Sequence, residues 1–76
     1  MILQMPKLGM EMTEGIVAKW LVGNGEGVVK GQPIYEIETD KVSNEIEAPA
    51  AGTLRHIAEE GVTYAVGETI AELLEP

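Results

Sequence analysis

Residues 15–37 of this chain can be laid on residues 52–73, and glycines carry most of the match. Gly15 falls on Gly52 at an offset of 37, and after a one-residue deletion the offset becomes 36. Gly25 then meets Gly61, Gly31 meets Gly67, Ile34 meets Ile70 and Ile37 meets Leu73. Such a repeat is one supersecondary unit written twice. Each copy reads as strand, glycine-bounded loop, strand, with residues 39–51 joining the halves. Two such halves each expose an unfilled apolar face and bury it by packing together. The expected fold is therefore all-β: a flattened β-sandwich or barrel of two four-stranded sheets with quasi-two-fold symmetry. The middle connection should lie at one end and the chain termini at the other.

Nine glycines and four prolines recur at short intervals, so no stretch holds a long amphipathic helix with proper caps. Strands are expected at 2–6, 15–22, 33–38, 43–48, 52–57 and 69–74, with shorter pieces near 28–29 and 62–65. Val42, Asn44, Ile46 and Ala48 alternate with Ser43, Glu45 and Glu47, the period-two pattern of a strand with one face inward. Elsewhere the alternation slips. Ile34 and Ile37, like Ile70 and Leu73, lie three apart. A helical turn or a bulged strand both permit this, and Pro33 and Gly67 nearby favour the bulge.

With 76 residues and no cysteine, the chain reads as one domain over 1–76, stabilised without disulfides or a thiolate metal site. A chain this short buries only about 60% of its unfolded surface. That leaves little room for a deep substrate cleft, so a carrier or binding module fits better than an autonomous enzyme. Thirteen acids against five bases give a formal charge of −8, which argues against nucleic acid and anionic membranes and for basic partner surfaces. No apolar run approaches the roughly 20 residues of a membrane span, and the N-terminus lacks the pattern of a signal peptide. A soluble, intracellular chain is expected. The closing residues Leu73, Leu74, Glu75 and Pro76 read as the start of a linker in a longer protein.

Gly23, Gly25 and Gly27 alternate before Gly31, but no Lys-Ser or Lys-Thr pair follows and a strand comes next. A phosphate loop needs a helix there. Glycines in a tight loop are the reading we adopt. His56 is the only histidine and Ser43 the only serine, and no motif joins them to an acid as a nucleophile system. His56 is expected to pack at a strand edge.

The singular segment is 36–47, which holds five acids and one base, Lys41, at its centre. Thr39-Asp40-Lys41 has the short polar character of a hairpin turn in which Asp bonds its own backbone. Lys41 should project from the hairpin tip into water. Taken alone, such a lysine is a solvated turn residue among acids.

The run Glu38-Thr39-Asp40-Lys41-Val42, followed by Glu45-Ile46-Glu47-Ala48-Pro49-Ala50-Ala51-Gly52, resembles the lipoylation signature of acyltransferase subunits of 2-oxoacid dehydrogenase complexes. Met5-Pro6-Lys7-Leu8-Gly9 with Met12-Thr13-Glu14-Gly15 is similar to that family's opening strand and loop, most of all in pyruvate- and acetoin-type subunits. Trp20, Gly25-Glu26 and Gly31-Gln32-Pro33-Ile34 fall where the family has an aromatic core residue, a loop and a turn. Tyr64, whose counterpart in the first repeat is Val28, departs from the pattern and should affect packing more than function. The loop 23–27 is richer in glycine than usual, which bears on its mobility.

The resemblance implies a lipoyl domain with lipoic acid amide-linked to Lys41 and with Asp40 and Val42 framing the lysine for a lipoate ligase or lipoyl transferase. It implies a swinging arm serving a thiamine-diphosphate decarboxylase, an acyltransferase core and a flavin dihydrolipoyl dehydrogenase. The covalent chemistry belongs to cofactor and partners, and the domain is not itself an enzyme. Leu8, Gly9, Met10, Glu11, Met12 and Thr13 form the loop expected beside the arm for the decarboxylase to read, with Glu38, Thr39 and Glu45 as further recognition residues. Rim acids Glu11, Glu36, Glu38, Glu45 and Glu47 would steer encounter with basic surfaces. The implied compartment is a bacterial cytoplasm or a mitochondrial matrix. A biotinyl carrier shares the fold, but its lysine sits between methionines, where Asp40 and Val42 stand here. The carrier of glycine cleavage is longer. An unmodified acidic interaction module is the alternative of another class.

Overall fold

The computed structural model describes residues 1–75, and all regular structure in them is β. Eight strands follow in chain order: β1 Ile2–Gln4, β2 Glu14–Trp20, β3 Gly27–Val28, β4 Pro33–Glu38, β5 Ser43–Glu47, β6 Gly52–His56, β7 Thr63–Ala65 and β8 Thr69–Leu74. They form two antiparallel four-stranded sheets, ordered β1-β8-β6-β3 and β5-β4-β2-β7. The strands at 33–38 and 69–74 occupy the expected residues. The expected 2–6 strand pairs only over 2–4, although Met5 still bonds across to Glu68 and Gly67.

The two sheets are the same design. Laying β2, β3 and β4 on β6, β7 and β8 turns one strand order into the other, with β5 matched to β1. The loops agree in detail. Gly25 and Gly61 have φ of 85° and 80°, and Gly31 and Gly67 have 88° and 93°, the left-handed region glycine enters freely. The Gly25 amide donates to Leu54 O at 2.7 Å, as the Gly61 amide donates to Val17 O at 2.9 Å. The glycine-rich loop 23–27 is thus anchored, and Asn24 Oδ1 also accepts the His56 amide at 2.8 Å.

The slips in alternation are bulges. In β4, Pro33 pairs with Glu47 and Tyr35 with Ile46, leaving Ile34 as the extra residue. In β8, Leu3 pairs with Ala71 and Gln4 with Thr69, leaving Ile70. An extra residue re-aims one side chain inward. Ile34, Tyr35 and Ile37 are therefore all buried, as are Ile70, Ala71 and Leu73.

These six, with Met5, Val17 and Leu54, make most of a core packed between the sheets. Neither copy alone could cover that face, so the repeat stabilises itself by association of its halves. The inward face expected for β5 is only partly realised: Ala48 is buried and Ile46 half-buried, but Val42 and Asn44 are exposed. β5 is an edge strand with β4 as its one lateral neighbour, and its face is covered on fewer sides. Trp20 is also half-buried instead of central. Its Nε1 donates to Ala58 O at 3.2 Å, its ring lies edge-on to Tyr35 and it stacks on His56 with centroids 3.8 Å apart. That stack, with His56 Nε2 2.8 Å from Val22 O, is how the lone histidine is used at its strand end. Tyr64 is half-buried, and its hydroxyl accepts the Glu59 amide at 2.9 Å, a packing role.

Candidate functional site

Antiparallel pairing of β4 with β5 ends at Glu38 and Ser43, and residues 39–42 close the hairpin. The Thr39 amide donates to Val42 O at 2.8 Å. Thr39 Oγ1 accepts from the Val42 amide at 3.1 Å and from the Lys41 amide at 3.3 Å. The bonding expected of Asp40 is performed by Thr39, whose hydroxyl satisfies two amides that the tight bend leaves without carbonyl partners. Among the described residues none other than glycine has positive φ. A four-residue hairpin loop needs no residue of positive φ, and the Thr39 hydroxyl takes over part of its closure.

Lys41 is exposed at the apex of this turn. The one ion pair among the described residues is Arg55–Glu72 at 3.7 Å, so Lys41 forms none despite Glu38 and Asp40 nearby. A primary amine on a flexible, exposed stem held at its base by a bonded turn is open to acylation by another enzyme.

The loop 8–13 lies beside the turn, and it shares one open recess with residues 38–42. Of the recognition residues expected from sequence, Leu8 through Thr13, Glu38 and Thr39 are brought together there with Asp40, Lys41 and Val42. Glu45 is not among them; it stands on β5 opposite Glu36. Within the loop the Met12 amide donates to Gly9 O at 3.2 Å, and the Leu8 amide lies 3.1 Å from Met12 Sδ. Met12 packs on the core, with Cε 2.9 Å from where a Cβ on Gly15 would stand. Met10 is 94% exposed.

Glu14, Gly15, Ile16 and Thr63 complete the recess wall and were not among the expected recognition residues. Ile16 lies on β2 as a partner of Glu38, and Thr63 lies on β7 as a partner of Ile16. Thr63 belongs to the second repeat but joins the sheet of the first, and no local pattern announces that exchange.

Charge is unevenly spread about the site. On the outer face of the Lys41-bearing sheet, Glu36 opposes Glu45 directly, Glu38 opposes Ser43, and Glu47 opposes Pro33. Lys19 opposes Glu36 on its other side without forming an ion pair, and Ser43 Oγ donates to Glu36 Oε1 at 2.8 Å. Like charges facing across a pair cost stability.

Known proteins agree with this geometry. The biotin–lipoyl family model, described as "Biotin-requiring enzyme", matches residues 2–73. The acetyltransferase component of the acetoin cleaving system of Pseudomonas putida is 43% identical over 74 residues, 96% of this chain and 20% of that protein. The lipoamide acyltransferase component of the branched-chain α-keto acid dehydrogenase complex of Bacillus subtilis is 46% identical over 70 residues, 91% of this chain and 16% of that protein. The chain thus spans a fifth or less of these relatives. The solution structure of the lipoyl domain of the 2-oxoglutarate dehydrogenase complex of Azotobacter vinelandii superposes with a TM-score of 0.81 at 35% identity, covering 97% of this chain and 95% of that one. With two repeat halves that exchange short strands between two packed sheets, a lysine at the apex of the joining turn and these matches along nearly its whole length, this chain belongs to the biotinyl/lipoyl carrier family, as a lipoyl domain of the kind found in acyltransferase components of 2-oxoacid dehydrogenase complexes.

Proposed function

We propose that Lys41 Nζ carries lipoic acid in amide linkage and that the domain presents this arm in turn to separate active sites. The observation behind the assignment is a primary amine at the apex of a bonded turn, exposed and free of any ion pair among the described residues. Forming the amide removes the lysine's charge and extends its flexible stem. The dithiolane supplies the acyl- and electron-carrying chemistry when bound; the chain supplies its position. Thr39 fixes where the arm starts, Asp40 and Val42 frame Lys41 for a lipoate ligase or lipoyl transferase, and tethering keeps the local carrier concentration high at each partner.

The partners follow from the relatives named as components of acetoin, branched-chain and related systems: a thiamine-diphosphate decarboxylase, an acyltransferase core and a dihydrolipoyl dehydrogenase. The loop 8–13 is the surface offered to the decarboxylase. The acids of the Lys41-bearing sheet raise the encounter rate with basic partner surfaces. Reductive acylation that slows as salt is added, at matched turnover of free lipoamide, is the expected mark of that steering. A salt-insensitive rate would remove it.

Intact mass before and after incubation with lipoate ligase, lipoate and ATP tests the attachment site. One lipoyl increment is expected for the natural sequence and none for Lys41→Ala. An increment that persists in Lys41→Ala would move the site elsewhere.

A further inference from the structure

Of the two asparagines in the chain, Asn24 alone precedes a glycine, and both Asn24 and Gly25 are exposed. A glycine has no Cβ to shield its amide nitrogen, so attack of that nitrogen on the asparagine side chain is least hindered at such a pair. Here the fold engages both reacting groups elsewhere. The Gly25 amide donates to Leu54 O at 2.7 Å, and Asn24 Oδ1 accepts the His56 amide at 2.8 Å. The repeat makes this arrangement twice. The bulge in β2 after Val17 brings the offset to 36, so that Asn24 falls on Glu60 and Trp20 on His56. Glu60 Oε1 accepts the Trp20 amide at 3.0 Å, and the Gly61 amide donates to Val17 O. The rings complete the exchange: Trp20 Nε1 donates to Ala58 O, His56 Nε2 lies against Val22 O, and the two rings stack where the copies meet.

We propose that Asn24 is a deamidation site that this exchange of bonds restrains, and that it reacts when the contact between the two copies opens. In the reaction Gly25 N loses its proton and bonds to Asn24 Cγ, the Cγ–Nδ2 bond breaks, and ammonia leaves with that proton. Water then opens the resulting succinimide at one carbonyl to give aspartate, or at the other to give isoaspartate. Leu54 O opposes the first step because it holds the proton that must leave. The His56 amide polarises the side-chain carbonyl, but that helps only a nitrogen free to reach it, so the reaction requires local opening. The two products fare differently. Aspartate keeps an oxygen for the His56 amide, as the Glu60 carboxylate does for Trp20, so the second repeat already carries an acid at this place. Isoaspartate runs the chain through the side chain and lengthens the backbone by one carbon. Gly25 N then loses its place against Leu54 O, and the stack of His56 on Trp20 loosens.

The test incubates the chain in mildly alkaline buffer, folded and in guanidinium, and follows both asparagines by peptide mass spectrometry. Conversion is expected at Asn24, with Asn44 intact, and at least about tenfold slower in the folded chain than in guanidinium, because only the opened form reacts. His56→Ala, which removes the ring stacked on Trp20 and its bond to Val22 O, should recover most of that difference while leaving the rate in guanidinium unchanged. Trp20 is the only tryptophan, so its emission reports the stack. The aspartate product should match Asn24→Asp in emission and in urea midpoint, and the isoaspartate product should unfold at lower urea with altered emission. No conversion of Asn24 in guanidinium would remove the site. Equal rates in the folded and unfolded chain, or a folded His56→Ala chain that reacts no faster than the natural one, would overturn the restraint. An isoaspartate form as stable as Asn24→Asp would overturn the difference between products.

Discussion

The turn at 39–42 and the chain termini occupy equivalent places in a nearly symmetric fold, yet they differ in what they can hold. Leu73 donates to Met1 O at 2.8 Å and accepts from the Met1 amino group at 2.9 Å, so β8 and β1 stay paired to their ends. Ile2–Glu72 and Leu3–Ala71 in that pair match Glu45–Glu36 and Ile46–Tyr35 in the other. Only the β4–β5 end is closed by continuous chain. Closure lets a side chain be held at a defined point, and Lys41 stands there. The side chains differ as well. Where the Lys41-bearing sheet sets Glu36 against Glu45, its counterpart sets Glu72 against Ile2 and pairs it with Arg55. The backbone symmetry serves burial, and charge is concentrated on the sheet that carries the lysine.

The equivalence of the repeats can be broken at their first glycines. A Cβ on Gly52 would stand 2.5 Å from Leu74 O, a backbone atom in the neighbouring strand, whereas one on Gly15 would meet the flexible end of Met12 at 2.9 Å. Gly52→Ala should cost about 2 kcal/mol, and Gly15→Ala about 1 kcal/mol, because Met12 can swing aside while buried Met5 and Ile37, at 3.1 and 3.3 Å, yield less. Urea unfolding midpoints check this. Equal losses would mean that the two sites are equally rigid.

A smaller effect sharpens the contrast between closed and open ends. Thr39→Ala removes the hydroxyl that accepts from the amides of Lys41 and Val42 and should cost about 1 kcal/mol, mostly local to the turn. Hydrogen exchange should quicken at those two amides and stay unchanged at Leu73. Unchanged protection at Val42 would show that the backbone closes the bend without the hydroxyl.

A last contrast, which opens only at high pH, concerns the core. Tyr35 is buried where the second repeat has Ala71, and desolvation by burial raises its phenol from 10.0 to about 12. The neutral form is the one the fold favours. Stability from this group is therefore complete below the unfolded value near pH 10 and is lost as pH climbs from there toward 12. Thermal unfolding of Tyr35→Phe should fall less steeply across that window than that of the natural sequence. Parallel curves would place the ionising group elsewhere.

Local chemistry made much of this legible. Positive-φ glycines, turn residues and apolar spacing act over a few neighbours, so the eight strands, the bulges at Ile34 and Ile70 and the lysine at the joining turn all follow from the order of residues. The repeat supplied the symmetry, because two copies that cannot bury their own faces must bury each other's. Which short strand joins which sheet is decided over long range: β7 leaves its own repeat to pair with β2, as β3 does with β6, and this sets Thr63 beside Ile16 in the recess near Lys41. The exposure of Asn44, the stack of His56 on Trp20 and the choice of Thr39 over Asp40 as the turn's acceptor are likewise tertiary outcomes. Each depends on which groups meet once the sheets have packed, and periodicity along one strand carries no record of what will lie across from it.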